Sequence, residues 1–200
     1  MPFFKHLDDL SDITDITWND RKRLGPLDKA AQEIMRGKSN FSSAQREIFA
    51  AYVSGLNACA FCYGAHVAVA KNFGASPKII EALIADIDQA PIDPKEKPLF
   101  QYLKKLTLHP SKLVQEDAQK VFEAGWREED LQDVILIACL FNFYNRLLDG
   151  HGIKGNPAIY QFGADHLHKS GYGVPWFINL IKGSIRKMKR KQLQSNQAST

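Results

Sequence analysis

Residues 42–74 read SSAQREIFAAYVSGLNACAFCYGAHVAVAKNFG, and the punctuation of this stretch decides the fold class. Ser42 with Gln45 three residues later is a capping box, in which each side chain satisfies a backbone N–H that a helix start leaves free. A helix therefore begins here and carries Glu47. Gly55 and Asn57 offer a break just before Cys59, a second helix runs on to Phe73, and Gly74 supplies the stop.

The same grammar continues on both sides. Gly25-Pro26 opens a helix over 26–35 that Gly37 ends, and Ser76-Pro77 starts a short one to about residue 84. Pro91 and Pro94 mark a linker, after which a helix runs to about Leu108 and stops at His109-Pro110. Ser111 is expected to cap a helix to about Ala124, ended by Gly125. A long apolar helix over 128–149 is closed by Gly150 and Gly152, and a last stretch over 157–169 precedes the 171–175 turn. Few segments alternate with a period of two, so a βαβ thioredoxin unit is not supported. The expected architecture is all-α, a single helical domain over 1–181 with a basic, flexible tail over 182–200. The regions around 42–73 and 128–150 share apolar character, which hints at a degenerate internal duplication. The second lacks cysteines, so one redox site per chain follows.

Composition narrows the class. The hydrophobic share of 44% over 200 residues is enough for a core without metal or disulfide staples. The formal charge of +4 is local, because residues 182–200 carry six basic side chains and no acid. Without those six, 20 basic residues face 22 acidic ones, and no basic stripe marks a nucleic-acid face. The segment 178–191 reads as a basic amphipathic helix end before the polar QSNQAST, a solvated tail or else a membrane-surface or partner contact. The N-terminal MPFFKHLDDL is acidic where a signal peptide is apolar. The longest uncharged apolar run, 134–144, is 11 residues, short of a membrane span. Three unevenly placed cysteines do not make a secreted disulfide framework. A cytoplasmic setting is the expectation, and there a close cysteine pair reads as catalytic or metal-binding.

The chemistry resides in Glu47, Cys59, Cys62 and His66. Residues three apart on a helix lie on one face, about 5–6 Å between Cβ atoms, which approaches disulfide spacing. A modest adjustment would let Cys59 and Cys62 form and break a bond. A cysteine in a first helical turn feels the positive end of the dipole, which favours the nucleophilic thiolate. His66 lies one turn beyond Cys62 and is placed to accept a thiol proton and return it to a leaving oxygen. On one straight helix, twelve residues would put Glu47 about 120° away from Cys59. A bend at 55–57 brings it back, where a carboxylate can orient the imidazole.

The pattern Glu-x11-Cys-x2-Cys-x3-His on a helical chain resembles the alkylhydroperoxidase D-like group of the carboxymuconolactone decarboxylase superfamily. More narrowly it is similar to the uncharacterised peroxidase-related enzymes of that group. The segment from Pro94-Lys-Glu-Lys97, the Glu123-Ala-Gly-Trp126 turn and the Asn142-Phe-Tyr-Asn-Arg146 stretch extend the likeness over roughly 25–170. The resemblance implies that Cys62 is the peroxidatic cysteine, Cys59 the resolving one, and His66 with Glu47 the proton relay. It implies a homo-oligomer, to which the apolar helix around 134–144 would contribute an interface. It also implies reduction of hydroperoxides with an external dithiol or disulfide reductant, without an organic cofactor or metal. Some relatives carry a histidine just before the second cysteine; Phe61 stands there in this chain and removes one proton donor.

Other readings stay open at this level. The pair can serve a thiol–disulfide oxidoreductase or redox sensor acting on a protein partner. With His66 and Glu47 it has the donor chemistry of a zinc site, and two buried small hydrophobes are the plainest account. Glu47 also fits an ordinary surface carboxylate and Tyr63 a packing residue. Cys139, inside ILIACLFNFY, is expected to be an inert core residue. Asn142, Asn145, Arg146 and Asp149 share a helical face that either supports the redox site, binds across an interface or meets solvent. His109 reads as a loop residue, His166 and His168 as lying near a helix C-terminus, and His151 is left unassigned.

Overall fold

Capping chemistry sets the first and third helices. Asp12 accepts from the Thr14 amide while Asp15 reaches back to the Asp12 amide, starting α1 (Ile13–Asn19), a helix the sequence reading did not contain. Ser42 and Gln45 form the anticipated box at the head of α3 (Ser43–Leu56). Between them α2 (Arg21–Arg36) starts earlier than expected and runs through Pro26. The residue before a proline normally avoids the helical region because its Cβ meets the proline ring. Gly25 has no Cβ, so the helix passes.

The computed structural model describes residues 1–173 together with Ser184, Lys187, Met188 and Lys191. The 182–200 tail and the 178–191 helix anticipated from sequence otherwise lie outside the described residues. After α3 come α4 (Ala60–Asn72), α5 (Pro77–Ala85), α6 (Lys97–Leu108), α7 (Gln115–Glu123), α8 (Glu128–Gly150) and α9 (Pro157–Ser170). No strand occurs among the described residues, so the chain is all-α. Ser111 does not cap α7: it lies in a 3-10 turn, Pro110–Lys112, and Asp117 reaches back to the Val114 amide instead.

Helix α4 packs against α3 on one side and α9 on the other, with α8 crossing behind α3. Its small residues, Ala60, Gly64, Ala65 and Ala68, permit the close approach. A Cβ on Gly64 would stand 2.3 Å from the Tyr160 ring of α9. The main core gathers Met35, Phe49, Tyr52, Leu99, Leu103, Ile137 and Phe141, each essentially inaccessible to water. Burying a side chain of this size contributes roughly 1.5–3 kcal/mol. A second apolar cluster joins Leu7 and Ile16 from the N-terminal segment to Phe61, Leu148, Ile153 and Ile159, and both Cys59 and Cys62 belong to it. At 23 residues α8 is long and apolar enough to cross a bilayer, but half of that window is buried inside the fold, the behaviour of a core helix.

Candidate active site

The bend between α3 and α4 is built by backbone bonds. The Cys59 amide reaches the Ser54 carbonyl at 3.0 Å and the Ala58 amide reaches Gly55 at 3.0 Å, a paired closure of the Schellman type. That motif requires a left-handed residue, and here Ala58 fills the place at φ +54 instead of the usual glycine. A side chain in this region costs about 1–2 kcal/mol. The strain sits immediately before Cys59, which begins α4 as its N-cap.

Two networks flank this bend. The first centres on Glu47, whose carboxylate is fully buried. Arg36 donates through Nη2 to Oε1 at 2.6 Å, and His66 Nδ1 lies 2.6 Å from Oε2. The Tyr172 hydroxyl donates to Oε1 at 3.0 Å. Burial opposes ionisation of Glu47, but the bond and charge of His66 and then those of Arg36 outweigh it and hold the carboxyl below its ordinary value. Tyr172 moves the other way: burial, then the Glu47 charge, push its hydroxyl well above the usual range and keep it a donor. The Arg36 guanidinium also lies over the rings of Phe73 and Tyr172, at 4.9 and 5.1 Å. Arg46, next to Glu47, closes the end of α2 by donating to the carbonyls of Ile34 and Gly37.

The second network holds the sulfurs, which are unbonded to each other and buried. The Cys59 thiol is pulled below its ordinary value, first by the hydrogen bond from the Cys62 thiol and against burial. Cys62 is pushed well above its ordinary value by the same bond and by burial. Around the sulfurs lie Asn145, Asn57 and Ser54. Asn57 Nδ2 donates to Asn145 Oδ1 at 2.8 Å and to Asn142 Oδ1 at 3.1 Å, and Asn145 Nδ2 donates to Ser54 Oγ at 3.0 Å. The Cys59 thiol points at the Asn145 main-chain carbonyl, 3.8 Å away. From α9 the Tyr160 hydroxyl lies 2.9 Å from the Lys154 carbonyl and 3.2 Å from the Ala60 carbonyl, two acceptors for its single proton, beside the turn that carries the cysteines.

The four expected residues are therefore brought to one bend, Glu47 as a buried carboxylate and not a surface one. The Glu47–His66 contact is made. Among the hydrogen bonds of the described residues, none joins His66 to a sulfur. Arg36 and Tyr172 escaped the sequence reading, since nothing in the local pattern ties them to Glu47. Of the polar group on α8, Asn145 is buried and faces the cysteines, Asn142 is half-buried, and Arg146 and Asp149 are exposed. Cys139 corrects an expectation: it is exposed, not a core residue. It falls between the buried Ala138 and Leu140 on the outer stripe of α8, with Leu136 and Phe143, where the helical period turns it away from the core. His151 caps α8, its Nδ1 2.7 Å from the Leu147 carbonyl. Tyr63 packs near Ala51, Ala70 and Ile80. Among the described residues no three His, Cys, Asp or Glu side chains converge as a metal-binding group.

The model of the carboxymuconolactone decarboxylase family matches residues 26–105. The uncharacterized protein YdfG of Bacillus subtilis is 30% identical over 110 residues, 55% of this chain and 75% of that protein. The chain belongs to the carboxymuconolactone decarboxylase family. Two solved structures share its fold. One is an uncharacterized peroxidase-related protein from Silicibacter sp. TM1040, with TM-score 0.65 and 22% identity over 79% of this chain and 92% of that one. The other is described as an alkylhydroperoxidase AhpD core, a peroxidase-related protein from Ralstonia eutropha JMP134, with TM-score 0.67 and 19% identity over 74% and 78%. Within this carboxymuconolactone decarboxylase family member, Arg36, Glu47, Cys59, Cys62 and His66 fall inside the matched stretch, whereas Asn145, Tyr160 and Tyr172 lie beyond it.

Proposed function

We propose that the protein reduces organic hydroperoxides through a Cys59–Cys62 disulfide cycle. The observation that carries this reading is the placement of two buried sulfurs on one helical turn, inside an apolar wall, one turn before a histidine tied to a buried carboxylate. With Nδ1–H directed at Glu47, His66 keeps Nε2 free to carry the working proton. The Cys62 thiolate attacks a peroxide oxygen; the O–O bond breaks, the departing alkoxide takes a proton from His66 and leaves as alcohol, and Cys62 becomes a sulfenic acid. The Cys59 thiol then displaces water from that sulfenic acid, giving the disulfide. An external dithiol restores both thiols by exchange, its own sulfurs becoming the oxidised pair. The walls of Leu7, Ile16, Phe61 and Leu148 favour an apolar R group, and with both sulfurs buried the wall must open to admit it. The cycle suits a reducing cytoplasm, where the unbonded pair is the resting state.

A second reading, exchange with a protein partner, draws on Cys59: its place at the helix start and its lowered thiol suit an exchange nucleophile. Mixing reduced protein with one equivalent of an organic hydroperoxide and following alcohol release separates the two. The peroxidase reading expects prompt alcohol and a Cys59–Cys62 bond by peptide mass, both lost in Cys62→Ser. Absence of alcohol, or oxidation indifferent to that substitution, overturns it in favour of partner exchange.

A further inference from the structure

A single arginine contact does not orient a carboxylate. The last torsion of a glutamate side chain is broad, and Arg36 meets Glu47 end-on, through Nη2 to Oε1. The other contacts of the guanidinium go to the carbonyls of Met35 and Leu167, at 2.8 and 3.3 Å. Rotation about the one bond to Oε1 would carry Oε2 away from His66 without breaking the ion pair.

Tyr172 supplies a second fixed point. Its hydroxyl lies 3.0 Å from Oε1, 3.2 Å from Oε2 and 3.4 Å from His66 Nδ1, at the edge of the carboxylate where the imidazole arrives. The hydroxyl has one proton, and the carboxylate, which can only accept, takes it. The Tyr172 ring lies parallel to the imidazole, with 2° between the planes and 6.4 Å between centroids, and the Arg36 guanidinium lies over it.

The residue that bears this hydroxyl is itself held. Beyond α9 the chain turns at Gly171, φ +68, and the amides of Tyr172 and Gly173 both donate to Gln32 Oε1, at 2.7 and 3.0 Å. A Cβ on Gly171 would stand 2.5 Å from that same oxygen, so the turn and the Gln32 contact share one small space. Gln32 precedes Arg36 by one turn of α2. One stretch of α2 thus delivers two partners to Glu47, the arginine directly and the tyrosine by capturing the segment that carries it.

We infer that Tyr172 is a positioning residue of the proton relay: locked by Gln32, its hydroxyl sets the plane of the Glu47 carboxylate, so that Oε2 meets His66 Nδ1 and Nε2 is left to carry the working proton. This inference rests on the reading of His66 as the proton carrier. Its first test uses no peroxide, so the two can fail separately. Protein carrying isotope-labelled histidine is followed by NMR at neutral pH, with the His66 signal identified by its loss in His66→Gln. The Nδ1 proton and its exchange with water are compared in wild type, Tyr172→Phe and Gln32→Leu. Tyr172→Phe keeps the ring and removes the hydroxyl, whereas Gln32→Leu keeps the hydroxyl and removes its anchor. Single-turnover alcohol release from cumene hydroperoxide is then measured on the same proteins.

The wild type is expected to hold a slowly exchanging proton on His66 Nδ1. In each variant that exchange should quicken about tenfold, the ratio that one lost hydrogen bond represents. The maximal rate of alcohol release should fall about tenfold, with the half-saturating hydroperoxide concentration changed by less than about twofold. A His66 ring without a proton on Nδ1 overturns the inference. So does an unchanged exchange rate in Tyr172→Phe, whatever happens to the melting temperature, since a merely structural tyrosine would move that temperature alone. Faster exchange in Tyr172→Phe but not in a folded Gln32→Leu overturns it as well, because Gln32 is then not what holds Tyr172. Should Gln32→Leu fail to fold, Tyr172→Phe decides. A protein that shows the Tyr172-dependent exchange yet releases no alcohol keeps the inference and loses only the peroxidase reading.

Discussion

The two networks at the α3–α4 bend solve opposite problems. The Glu47 side is ionic, with a buried carboxylate whose oxygens are taken by an arginine, a tyrosine and a histidine. The cysteine side is made of amides, a hydroxyl and hydrocarbon walls. An ion pair inside a protein must be complete, because a charge left without its partner is costly to keep dry. A sulfur nucleophile needs the reverse: contacts weak enough to leave it free to attack. On the proposed cycle the charged half is therefore a rigid mount and the neutral half the working end.

Breaking the mount should have the largest effect. Glu47→Ala leaves the Arg36 guanidinium, 11% exposed, without its anion and is expected to cost about 3–5 kcal/mol in urea unfolding. The acid limb of stability gives a milder version. Because the folded-state value of Glu47 is depressed, its contribution is fully present above the ordinary value of 4.5 and is lost as pH falls through the lower folded value. Stability of the wild type should decline on acidification below that point, and Glu47→Gln should show a shallower decline over the same range. On the working side, Gly64→Ala drives a methyl into the Tyr160 ring, with an expected loss of about 1–3 kcal/mol. Tyr172→Phe removes one donor from Glu47 and should cost about 1.5 kcal/mol, read as a shift in unfolding midpoint. Cys139→Ser lies in neither network and is exposed, so its change should stay within about 0.5 kcal/mol. A loss several times larger would return Cys139 to the core.

What the sequence made legible divides along the same line. Capping and stop signals are local, and so Ser42/Gln45, Gly74 and Gly125 could be read directly; the two glycines adopt φ +89 in the structure. The bend before Cys59 was legible, but not that Ala58 would take the left-handed position a glycine usually fills. The Asp12–Asp15 box has a weaker signal in sequence, because the acids of the N-terminal segment speak there only against a signal peptide. Pro26 reads as a helix start because proline favours the first turn, while the missing Cβ of Gly25 lets α2 continue through it. Partners contributed from far along the chain had no signal at all: Tyr172 lies 125 residues from Glu47. Asn145 stood between these cases. A polar residue on an apolar helix announces a partner, but only packing against α3 shows that its side-chain partners are Ser54 and Asn57. Cys139 failed for the converse reason, since in a run apolar on every side the sequence does not say which residue faces out.

Leu7 and Ile16 belong to the wall around the cysteines, yet both precede residue 26, where the family match begins. The cysteine pair and the ions around Glu47 thus sit in the shared part of the chain, while part of the enclosure of the cysteines comes from a stretch that precedes it. Such an arrangement is modular: on the proposed cycle, change in the first twenty or so residues can alter which molecules reach the sulfurs without touching a residue assigned to proton or bond chemistry. Selectivity and chemistry can diverge independently, and two members with the same Glu, Cys, Cys and His need not share a substrate.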